Sequence, residues 1–232
     1  MKKVILTVIV TLLFVNVPVA WAEILIFDTS DSQFDAGVDN QGWWSDTRES
    51  RDENDSYAIG ISPDEEIFHN FFTFDLSSLA YPVLSATLEL TRFMYASSAD
   101  SEVLGLFDVS TDAVNLNNNT AINLTIFNDL GTGASYGEFD ILSEGLETDI
   151  LTFELNASAI GDINAAMGGW FSIGGTLLSP GSPVGDGTEG VFGTSNGSGV
   201  QRLVLEVVPE PTTILSLGLG TLLLRRRSRI KA

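Results

Sequence analysis

Few residues of this sequence have the type and spacing to do chemistry. The one histidine, His69, lies among aromatics in IFHNFF. With no second histidine and no cysteine, it has no partners for a thiol nucleophile or a zinc site, and on a strand it reads as a structural side chain. Carboxylates are plentiful. FDTSDSQFDAGVDNQG puts Asp28, Asp31, Asp35 and Asp39 in one polar stretch, with Asn40 after them. Calcium prefers hard oxygen ligands from such a loop, although the spacing is not that of an EF-hand. A solvated acidic loop and a Ca2+ site are both open readings, and no cofactor is required. A glycosidase needs only two acids across a sugar bond, but nothing selects a pair, so the chain is expected not to be an enzyme and hydrolysis is the most distant reading. Trp43 and Trp44 in NQGWWSDT are the candidates for ligand contact. Aromatic faces stack on sugar rings, and two tryptophans in a polar loop are costly to expose without a use. Packing over the end of a sheet is the competing reading, and Trp170 in GGWFSIGG reads as core.

The elements that must position these residues are strands. In SATLELTRF, Ala86, Leu88 and Leu90 alternate with Thr87, Glu89 and Thr91. AINLTIF alternates Ile122, Leu124 and Ile126 with Asn123 and Thr125. ILTFEL sets Leu151, Phe153 and Leu155 against Thr152 and Glu154, and QRLVLEV sets Leu203, Leu205 and Val207 against Arg202, Val204 and Glu206. A period of two marks half-buried antiparallel strands. EILIFD, IFHNFFTFDL, EVLGLFDV and GWFSIGG read as further strands, separated by turn-rich NLNNNT, DLGTGASYG and SPGSPVGDGTEG. One short helix is expected in NASAIGDINAAMGG, with Ile160, Ile163 and Met167 on one face, Asn156 or Ser158 as cap and Gly168-Gly169 as stop. The fold class is therefore all-β: an antiparallel two-sheet sandwich, jelly-roll as first choice, with Leu88, Leu90, Leu124, Phe153 and Leu205 in its core.

The two ends differ from this body. Residues 1–22 have the parts of a secretory signal: Lys2 and Lys3, the apolar run from Val4 to Val15, and the small-x-small site Ala20-Trp21-Ala22. Residues 23–207 are the expected sandwich domain, and 208–232 a separate tail. From Glu23 to Val208 there are 30 acids and four bases, a net charge of −26. That field repels nucleic acid and anionic lipid, and suits a protein working outside the cell. In the tail, Val-Pro-Glu-Pro is rigid and extended, because each proline fixes its own φ and restricts the residue before it. The 14 residues from Pro211 to Leu224 carry no charge. As a helix they would span about 21 Å, short of the roughly 30 Å of hydrocarbon in a bilayer. Arg225, Arg226, Arg227 and Arg229 then act as a membrane stop on the cytoplasmic side, and Lys2 and Lys3 place the first end there too.

Pro209, Glu210 and Pro211, the short apolar span and the terminal arginines together resemble the PEP-CTERM sorting signal of Gram-negative bacteria. The resemblance covers the tail alone. It implies that a membrane protease-transpeptidase, exosortase, recognises the motif, removes the span after a transient stay in the inner membrane, and passes the protein to the cell surface or the extracellular matrix. It also implies association with exopolysaccharide and biofilm. The body segment FFTFDLSSLAYPVLSATLELTRF resembles secreted β-sandwich domains of carbohydrate-binding type, which supplies no binding residues. The expected function is thus a structural or interaction role in the matrix. The alternative is a module that binds the cell's own polysaccharide.

Overall fold

A computed structural model describes residues 22–50, 54–193 and 199–208. The expected signal segment as far as residue 21, and the expected sorting tail beyond Val208 with its arginines, lie outside the described residues. Among those described, no helix is long and apolar enough to cross a membrane.

Alternating apolar residues pair strand to strand, and two antiparallel sheets result. The smaller contains β1 (Glu23–Asp28), β12 (Arg202–Val207), β5 (Val83–Thr91) and β9 (Ile150–Glu154), in that order. Its register aligns Leu203 with Leu88 and Leu88 with Phe153, so one row of three buried side chains crosses the sheet. The larger sheet has the order β6 (Tyr95–Ala96), β11 (Glu189–Val191), β3 (Ile59–Ile61), β4 (Ile67–Asp75), β10 (Trp170–Leu177), β7 (Ser101–Asp108) and β8 (Ser135–Leu142). A further strand, β2 (Gln41–Ser45), also pairs with β4. Phe72 and Phe74 of β4, Leu104 and Leu106 of β7, and Phe171 and Ile173 of β10 meet Leu88, Leu90, Phe153, Leu203 and Leu205 in one core between the sheets. Each such side chain contributes about 1.5–3 kcal/mol by leaving water. Ile24–Val207 forms one compact unit.

Among the described residues, three short helices are present where one was expected in the body, the expected signal and tail helices lying outside them. α1 (Ala113–Asn117) starts at Asp112, whose carboxylate accepts from the Val114 amide. α2 (Leu124–Asp129) starts at Asn123, whose side chain accepts from the Thr125 and Ile126 amides. α3 (Ala157–Ala165) is the expected helix, capped by Asn156 and followed by Gly168 at φ +79°.

α2 corrects the strand reading of AINLTIF. With Asn123 spent as a cap, burial follows a helical spacing: Ile126, Phe127 and Leu130 are inside, while Leu124 is 54% exposed and Ile122 also faces out. Leu124 is therefore not a core residue. The three buried side chains join Trp44, Phe71 and Leu116 in a second, smaller core. Phe71 points away from Phe72, so this core covers part of the outer face of the larger sheet. Gly174, the register partner of Phe71, makes the close approach possible, because a Cβ there would stand 2.6 Å from the Leu130 carbonyl oxygen.

Candidate functional site

The tryptophan pair does not sit in a polar loop. Both residues belong to β2 and are buried, Trp43 at 7% exposure and Trp44 at 4%. The Trp44 indole N–H donates to the Leu116 carbonyl at 3.0 Å, inside the second core. Trp43 donates to Ser56 Oγ at 3.0 Å and packs edge-on against Phe68. It lines a cleft of about 240 Å³ with Arg48, Asn54, Met94 and Glu189, while most of its surface is buried against the protein.

His69 is held as a structural residue is. Its ring stacks on Phe127 at 4.1 Å, and Nδ1–H donates to the Phe127 carbonyl at 2.8 Å. Burial lowers its pKa below the ordinary histidine value, against the opposing pull of that carbonyl and of Asp46. GASYG at 133–137 and GTSNG at 193–197 have the G-x-S-x-G spacing of a nucleophile elbow. Ser135, however, begins β8 instead of standing between a strand and a helix, and most of the second segment lies outside the described residues. GDGTEG at 185–190 has dinucleotide-motif spacing, but it leads into β11, and among the described residues no helix follows to hold a phosphate.

The four aspartates read as calcium ligands lie between the end of β1 and the start of β2. Asp28 Oδ1 meets Arg202 Nε at 3.3 Å as an ion pair without a formed hydrogen bond. Asp31 Oδ2 accepts from the Asp28 amide at 3.0 Å, and Asp39 Oδ1 from Gln33 Nε2 at 2.9 Å. Burial, with Asp55 and Asp28 adding repulsion, raises the Asp39 pKa. Asp35 lines a surface groove. Among the described residues, no three His, Asp or Glu side chains group as metal ligands.

Among the described residues, a different aromatic side chain is the most exposed. Along β10, Phe171 and Ile173 point into the main core, so Trp170, Ser172 and Gly174 point to the outer face. Trp170 is 36% exposed and is not the core residue its sequence context implied. The Phe34 ring packs against it at 4.5 Å, inclined by 37°. Phe34 arrives on the segment between β1 and β2. That segment is tied down where Ser32 Oγ donates to Asp75 Oδ2, and Asp75 is the register partner of Trp170.

The two rings form a ridge with a groove on either side. Phe34 lines one, of about 620 Å³, with Asp35, Val114, Asn117, Asn118 and Thr120. Trp170 lines the other, of about 360 Å³, with Asp108, Tyr136, Asp162 and Ser172. The polar groups are set by the fold. Asn117, at the end of α1, donates to Thr73 Oγ1 at 3.2 Å and to the Ala113 carbonyl at 2.8 Å. Thr73 and Ser172 hydroxyls pair across β4 and β10 at 2.9 Å. Asp162 Oδ2 accepts from the Tyr136 hydroxyl at 3.0 Å, and Asp108 Oδ1 accepts from the Ala134 amide. Each of these two carboxylates keeps a second oxygen facing no protein donor among the described residues. Burial and the Asp162 carboxylate push the Tyr136 pKa up, so its phenol stays protonated.

Sequence reasoning missed this ridge. Period-two alternation in WFSIGGTL, with Trp170, Ser172 and Thr176 in one phase and Phe171, Ile173 and Leu177 in the other, was the available signal.

No protein-family model matches this chain, and no curated protein matches it either.

Proposed function

We propose that this is an exported, exosortase-sorted protein of the cell surface or extracellular matrix of a Gram-negative bacterium, with a non-enzymatic structural or interaction role beside exopolysaccharide. The carrying observation is the order of Pro209-Glu210-Pro211, a short uncharged span and Arg225 to Arg229 after a strongly acidic body. The body's lack of cysteine suits a fold that rests on its apolar core alone. As to topology, the chain passes between the two sheets after β1, β4, β5, β8, β9 and β11, which favours a jelly-roll over a meander. No cofactor is required by this reading. If Asp28, Asp31, Asp35 and Asp39 hold calcium, millimolar Ca2+ raises the melting temperature more than Mg2+ does.

The second reading, a polysaccharide-binding module, is favoured by one specific observation: an exposed tryptophan packed on a half-buried phenylalanine and flanked by amides and acids. The sorting proposal is tested by mass spectrometry of the protein recovered outside the cell. The expected species ends near the Pro-Glu-Pro motif, and Glu210→Ala is expected to hold the full-length form in the membrane. Extracellular protein that still carries LLLRRRSRIKA overturns it.

A further inference from the structure

We infer that the ridge made by Trp170 and Phe34 is the binding site for an uncharged glycan chain, which crosses the ridge and lies in the grooves on both sides. This rests on the polysaccharide-facing reading above and adds the site and the ligand chemistry. Three observations carry it. The first is the Trp170 ring, 36% exposed, whose orientation is held by Phe34 packed against it on a segment that the Ser32–Asp75 bond ties to the end of β4. A fixed flat ring presents an apolar face to the C–H groups of a pyranose at little entropic cost.

The second is the polar inventory. Asp35, Asp108, Asp162 and Asn117 border the two grooves, and acids and amides of this kind accept hydrogen bonds from hydroxyl groups. Asp108 and Asp162 line the same groove as Trp170, each with one carboxylate oxygen held by a protein donor. The third is charge. Among the described residues, no Lys or Arg lines either groove, and the body's net charge of −26 repels a polyanion. A ligand rich in hydroxyls and free of carboxylate or phosphate fits all three. Grooves on both sides suit a chain rather than one terminal sugar.

The test uses the exported protein and two polysaccharide fractions from the matrix of the cells that make it, separated by anion exchange into neutral and anionic pools. The neutral pool is expected to retain the protein and to change its tryptophan fluorescence. Trp170→Ala should bind it about tenfold more weakly, the loss typical of one stacked ring. Trp170→Phe should keep most of the binding while losing the fluorescence change, because the buried Trp43 and Trp44 do not face the ligand. Asp162→Asn, which preserves shape, should also weaken retention. Binding should persist in about 1 M NaCl, where the Debye length is about 3 Å. Retention by the anionic pool, or by neither pool, overturns the inference. So does retention that salt abolishes and Trp170→Ala leaves intact, which identifies a cationic partner instead. Any of these outcomes, found with a correctly cut tail, leaves the sorting proposal standing.

Discussion

Ser32 Oγ donates to Asp75 Oδ2 at 2.5 Å, and Asp75 is aligned with Trp170 in the β4–β10 register. One hydroxyl thus anchors the acidic segment to the larger sheet at the point where Phe34 reaches Trp170. The same bond is the leading cause of the lowered Asp75 pKa, with the Ser77 amide assisting. A carboxylate with a depressed folded-state pKa stabilises the fold above its unfolded value, and this is lost as pH falls through the folded one. Ser32→Ala is therefore expected to raise the Asp75 pKa toward the ordinary aspartate value. NMR titration of the carboxyl carbon checks this, and a parallel rise in quenching of Trp170 would show Phe34 released from its ring.

His69 predicts a pH response in a separate window. Its lowered pKa means that the unfolded chain binds the proton first, beginning near pH 6.5. Stability contributed by the neutral ring is fully present above that pH and declines as pH falls below it. His69→Asn can keep a donor to the Phe127 carbonyl but cannot titrate. Urea unfolding between about pH 5 and 7 should show a slope in the parent that the variant lacks. Equal slopes would mean that His69 is not the titrating group.

The core makes a contrast within one residue type. Leu88 is fully buried between Leu203 and Phe153, so Leu88→Ala should cost about 2–5 kcal/mol. Leu124 opens α2 and is mostly exposed, so Leu124→Ala should lie within about 0.5 kcal/mol of the parent. Chemical denaturation of both variants measures the difference. Similar losses would place Leu124 inside.

Gly174→Ala tests the seat of α2 on the sheet. The added Cβ would meet backbone atoms of Leu130, which cannot turn aside as a side chain can. A destabilisation of about 1–3 kcal/mol is expected from this overpacking. A rise in the His69 pKa should accompany it, because lifting the α2 end lets water reach the ring. An unperturbed variant would mean the contact is looser than 2.6 Å implies.

Among the described residues, the smaller sheet could be read from alternation alone. TLEL, ILTFEL and QRLVLEV alternate strictly, and a strand with one wet face can bury such a pattern only one way round, so Leu88, Leu90, Phe153 and Leu205 were legible as core. The two-sheet class followed, because their apolar faces need a cover. Tertiary structure decided the outer face of the larger sheet. AINLTIF fits a period of two as well as one helical turn; the Asn123 cap, and a sheet surface made low by Gly174, let the helix win. Trp43 and Trp44 went inside because β2 pairs with β4 and α1 lies over Trp44, neither of which is encoded near NQGWW. Trp170 kept an exposed edge, with Phe34 packed at its side on a segment that Ser32 ties to Asp75. Local alternation is a property of neighbours in the chain, whereas which face remains open depends on segments that arrive from far along the chain.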